Sequence, residues 1–97
     1  MKVRILPSAI EDLARGRQFY ECLSQGLGTY FLDSMVSDMD TLTYNGGIHH
    51  QVFGYHRMLA KRFPYAVYYK ISDCTVNVFR ILDCRQDPNK IGKILEE

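Results

Sequence analysis

Ninety-seven residues with 46% apolar content set one domain, residues 1–97, with a single core. The net charge of +1 is no nucleic-acid signature in itself, and Cys22, Cys74 and Cys84, with no C-x-x-C pair, form neither a disulfide framework nor a zinc pattern. Reduced thiols point to the cytoplasm, Pro7 and Glu11-Asp12 interrupt any leader-like apolar run, and no stretch is apolar enough to span a membrane.

Residues 2–6 read as a short strand, with Val3 and Ile5 alternating against Lys2 and Arg4. Ser8 and Glu11 have capping-box spacing, so a helix is expected over residues 9–23, with Glu11 and Asp12 near the positive end of its dipole. Gly16 weakens its middle. Gly26 and Gly28 mark a break. A second helix follows over residues 29–44, its face set by Leu27, Phe31, Met35, Met39 and Leu42. The two helices form an αα-hairpin.

Three or four strands are expected after Asn45-Gly46-Gly47: residues 48–55, polar at their start, could form the first, and residues 57–62, 65–71 and 75–83 follow. Phe63-Pro64 makes the corner between the second and third. The last is apolar on both faces, as in a central strand. Asp87 suits an N-cap and Pro88 the first position of a short C-terminal helix with Ile91, Ile94 and Leu95 on one side. The order is α+β: an N-terminal strand, an αα-hairpin, an antiparallel sheet and a short helix.

Charge divides unevenly. Residues 1–46 hold four Lys/Arg against six Asp/Glu, and residues 47–97 hold eight against five, so an anionic partner is expected to meet the second half. Arg57, Lys61, Arg62, Lys70, Arg80 and Arg85 are the candidate contacts, because guanidinium and ammonium groups bind phosphate or carboxylate. The same cations could instead guard a sheet edge against aggregation. Alternation places Tyr65, Val67, Tyr69 and Ile71 in the core and turns Tyr68 outwards, where it could stack on a base. His49, His50 and His56 have no carboxylate at ligand spacing, so no metal is expected; no phosphate loop or nucleophilic pair is visible, and no cofactor or small-molecule substrate is expected.

The sequence resembles the RelE/ParE superfamily of bacterial toxins from type II toxin–antitoxin systems. The resemblance runs through Ala9, Asp12-Leu13, Phe19-Tyr20-Glu21, Gly26-Leu27-Gly28, Phe31, His56-Arg57, Arg62-Phe63-Pro64-Tyr65-Ala66-Val67-Tyr68-Tyr69 and Arg85-Gln86-Asp87-Pro88. Phe63-Pro64-Tyr65 with Val67 and Tyr69 is its most specific part.

The resemblance implies a growth-inhibiting toxin of the plasmid-stabilisation type, neutralised by a cognate antitoxin. The family divides: ParE-like members inhibit DNA gyrase, and RelE-like members cleave ribosome-bound mRNA without metal, using basic side chains on the sheet. Arg85 falls where the RNA-cleaving branch places an arginine at the end of the last strand, and is the catalytic candidate on that reading, with Arg57 or Lys61. Elsewhere the chain departs from that branch: Ala66 replaces a strand arginine, Met58 and Ala60 fall near the expected lysines, and Asp83 and Gln86 occupy positions where relatives carry a histidine or arginine. The expected function is therefore ParE-like, by binding a target protein; mRNA cleavage is the alternative, and a degenerate toxin that survives as an interaction module is a third.

Overall fold

A computed structural model describes residues 1–96. Its elements are β1 (Lys2–Ile5), α1 (Pro7–Leu23), α2 (Leu27–Asp40), α3 (Leu42–Asn45), β2 (Gln51–Val52), β3 (Tyr55–Leu59), β4 (Tyr65–Ser72), β5 (Thr75–Asp83) and α4 (Pro88–Glu96). The strands form one sheet in the order β1-β5-β4-β3-β2. Only β1 runs parallel to its neighbour; β2 to β5 form an antiparallel meander.

β4 lies in the middle of the sheet, and Tyr65 to Tyr69 are all buried. Both faces of this strand are covered, which suits its β-branched and aromatic run. Tyr65, Val67 and Tyr69 face α1 and α2, where Leu13, Tyr20, Phe31, Met35 and Met39 complete the main core. Ala66 and Tyr68 face the other way, under Ile91 and Leu95 of α4. β5 is interior as expected, between β1 and β4. Its apolar residues on both faces have a second cause. The register slips so that Tyr68 pairs with Arg80 and Tyr69 with Val78, and this bulge at Phe79 resets the alternation before Ile81.

The helices begin and end differently from the sequence expectation. α1 starts at Pro7 with Leu6 as N-cap, and no side chain caps it. Pro7 presets the first helical φ, and the amides of Ala9 and Ile10 donate to the Leu6 carbonyl. Ser8 is thus already inside the helix, so the Ser8–Glu11 capping box does not form. The second expected helix breaks at Thr41 into α2 and α3. Of residues 48–55, Gln51 and Val52 form β2, a tight turn at Phe53-Gly54 follows in which both φ values are positive, and Tyr55 already begins β3. The strand expected over residues 57–62 is β3, which ends at Leu59, so Lys61 and Arg62 lie in the bend before β4.

The α1–α2 connection depends on two residues. A Cβ on Gly28 would lie 2.5 Å from the Arg17 carbonyl oxygen, so the helices approach this closely only with glycine there. The Glu21 carboxylate accepts from the amides of Gly26 (3.0 Å) and Gly28 (2.9 Å). These donors hold the Glu21 carboxyl below its usual range. A lowered carboxyl pKa adds stability above the unfolded value and loses it as pH falls through the folded one. Glu21→Gln is therefore expected to lower Tm at neutral pH, with the gap to wild type closing below about pH 4 in a thermal-melt series.

Candidate functional site

The sheet register separates the six candidate cations. Cys84 donates its amide to the Pro64 carbonyl at 2.8 Å, and Tyr65 pairs with Asp83. Lys61, Arg62 and Arg85 therefore gather at one end of the sheet. Lys70 lies towards the other end, paired with Asn77, and Arg57 and Arg80 flank Tyr68 in between.

Arg85 is exposed but engaged. Its amide (2.8 Å) and Nε (3.0 Å) both donate to Asp83 Oδ1, and a guanidinium nitrogen donates to Oδ2 at 2.7 Å. This two-pronged pair holds the Asp83 carboxyl below its usual range and raises Arg85 further. Asp83 thus offsets the charge that a phosphate would otherwise meet. Beside it, Tyr65 is pushed up to about 12, chiefly by burial, so its hydroxyl stays protonated at any physiological pH. A cleft of about 330 Å³ opens here between α1 and the sheet, lined by Asp12, Arg15, Phe19, Tyr65, Arg80 and Asp83.

Arg80 points into that cleft and is held by Asp12. Its Nε donates to Asp12 Oδ2 at 2.8 Å and a terminal nitrogen donates to Oδ1 at 2.9 Å. Asp12 is only 5% exposed. It also accepts the Ile81 amide at 2.9 Å and Arg15 at 2.6 Å. β1 has ended by this level, so the carboxylate takes the place of a neighbouring strand beside β5.

Arg57 and Tyr68 form a third cluster. Alternation alone turns Tyr68 to solvent, but α4 covers it and leaves it 2% exposed. The apolar side of α4 needs a cover, and this face of the sheet supplies it. No base can stack on Tyr68 while α4 lies there. Arg57 Nε donates to the Tyr68 hydroxyl at 3.2 Å, and its terminal nitrogen lies 3.6 Å from Cys84 Sγ. Lys70 places its ammonium 4.4 Å from the centre of the Tyr55 ring. Lys61 and Arg62 have exposed side chains; the Lys61 amide is tied to the buried Asp38 carboxylate at 3.0 Å.

Asp83 and Arg85 stand two residues apart, so their proximity shows in the sequence. The pairing of Asp12 does not, because its partner lies far along the chain. Among the described residues, no group of three or more His, Cys, Asp or Glu side chains is placed to hold a metal ion. No described helix is long and apolar enough to cross a membrane.

No protein-family model matches the sequence, and no curated protein matches it. Among solved structures, it is similar to a chain of the chromosomal ParDE TA system from P. aeruginosa. The TM-score is 0.73 at 17% identity, over 84% of this chain and 92% of that chain. With the β1–αα-hairpin–meander order and the α4 cover already described, this likeness gives the architecture its place: the chain shares the α+β fold of that ParDE chain.

Proposed function

We propose that this protein is the toxin of a type II toxin–antitoxin pair, ParE-like in action. It arrests growth by binding a protein target such as DNA gyrase, and a cognate antitoxin neutralises it. The fold supports the toxin reading. The observation that carries the ParE-like choice is the Arg85–Asp83 pair. Cleaving RNA without a metal requires cations free to meet the charge that builds on the phosphate. Arg85 is paired through two side-chain nitrogens with the Asp83 carboxylate, which offsets its charge, Arg80 is held by Asp12, and Arg57 lies half-buried on Tyr68. Ala66, Met58 and Ala60 supply no replacement.

A target or antitoxin has an exposed apolar surface to use. Phe19, Leu23 and Tyr30 are each about half exposed or more on the αα-hairpin. An amphipathic antitoxin helix laid along that surface matches its chemistry. Purified protein is expected to block supercoiling by purified gyrase, and the product of an adjacent antitoxin-sized reading frame is expected to restore it. Undiminished supercoiling at a large molar excess of the protein would rule out gyrase as the target.

A further inference from the structure

Two of the three histidines, His49 and His56, converge on one buried tyrosine. Residues 46–50 lead from α3 to β2 and lie against Tyr69, on the sheet face that carries α1 and α2. Tyr69 is fully buried. Its hydroxyl accepts the Gly47 amide at 3.0 Å and lies 2.6 Å from His49 Nδ1. His56, on β3, stacks on the Tyr69 ring at 5.0 Å, and its Nδ1 is 2.8 Å from the His49 carbonyl. The Arg57 amide donates to the His50 carbonyl at 2.9 Å, which fastens the loop to the outer edge of β3.

These contacts fix the protons. A carbonyl only accepts, so His56 carries its proton on Nδ1. Of the two groups that touch the buried Tyr69 hydroxyl, the Gly47 amide can only donate, so the hydroxyl proton finds its acceptor in His49 Nδ1, which is then bare. We propose that residues 46–50 form a proton-operated clasp: protonation of His49 breaks its bond from Tyr69, releases the loop and bares the outer edge of β3. A proton on Nδ1 faces the hydroxyl donor and leaves that donor without an acceptor in a buried place. It also brings a cation close to His56.

The surrounding charges do not cancel this cost. Asp38 and Lys61 line the small cavity on one side of His49, and the Asp38 carboxylate already takes the Lys61 amide. His50 and Arg57 line the other side. Burial, and then His56, hold His49 below the usual imidazole value. For a histidine lowered in the closed form, closure is complete above the free value and is lost as pH falls towards the closed one. The bared edge is a row of unpaired backbone groups running past the end of β2 to Leu59, which is the form of surface that pairs with another strand.

The test is hydrogen exchange at the Arg57 amide in the full chain, corrected for the intrinsic rate at each pH. Between about pH 7.5 and 5, protection is expected to fall by up to about tenfold per pH unit below roughly 6.5, since opening takes up one proton. His49→Gln is expected to abolish that dependence, and His56→Gln to keep it. Tyr69→Phe removes the catch and keeps the ring, so it is expected to show the low protection already at neutral pH. Constant protection in the wild type overturns the proposal. So does an unchanged pH dependence in His49→Gln, or full neutral-pH protection in Tyr69→Phe.

Discussion

Asp12→Ala is expected to destabilise the protein by about 3–5 kcal/mol, the usual cost of removing one partner of a buried ion pair. The carboxylate is 4% exposed as a side chain and serves four donors from three residues: Arg80 twice, the Ile81 amide and Arg15. Alanine leaves the Ile81 amide without its acceptor and Arg80 without its carboxylate. Asp12→Asn keeps one carbonyl oxygen for the Ile81 amide and is expected to lose less. Arg15 is 63% exposed, so Arg15→Ala is expected to stay within about 1 kcal/mol of wild type. Chemical denaturation measures all three. If Asp12→Ala also stays within about 1 kcal/mol, the carboxylate is not what closes the outer side of β5.

Phe31→Ala is the second large effect, at about 3–5 kcal/mol for deleting a buried ring. Phe31 is fully buried. Its ring stacks on Tyr20 at 5.0 Å and meets Phe63 and Tyr65 edge-on at 5.1 and 5.0 Å. A companion substitution tests the packing from the other side. Gly→Ala inside a helix ordinarily gains about 1 kcal/mol. At Gly16 the new Cβ would sit 2.6 Å from two ring carbons of Phe31. Overpacking of this kind costs about 1–3 kcal/mol, so Gly16→Ala is expected to destabilise. In the Phe31→Ala background the clash is gone, and Gly16→Ala is expected to become neutral or stabilising. Additive losses in the double variant would show that Gly16 is not kept small by this ring.

Gly16 shows where sequence reading stops. Its helix-weakening effect is local and legible; the ring that demands it comes from α2. The same division runs through the whole chain. The stripe of Phe31, Met35 and Met39, the Phe63-Pro64 corner and the Asp87-Pro88 helix start are signals within a few residues, and all three elements are present. The Asp87 carboxylate even caps the Asn89 amide at 2.9 Å.

What escaped depended on distant partners. Asp12 looked like an acid placed for the helix dipole, and its work is done at β5. Tyr68 looked exposed because alternation within a strand cannot say that α4 folds back over it. Arg80 reads as an open cation because neither the bulge at Phe79 nor Asp12 shows in the local pattern. Nothing local joins His49 and His56 to their shared partner, Tyr69, which lies on another strand. Asp83 and Arg85, two residues apart, were the exception: their proximity could be read directly, and the ion pair is there.

That pair is where the two modes of toxicity part, and induction of the protein in growing cells, with mRNA 5′ ends mapped, separates them. The engaged Arg85 predicts growth arrest with translated mRNAs intact. New ends within translated codons that disappear with Arg85→Ala would contradict it.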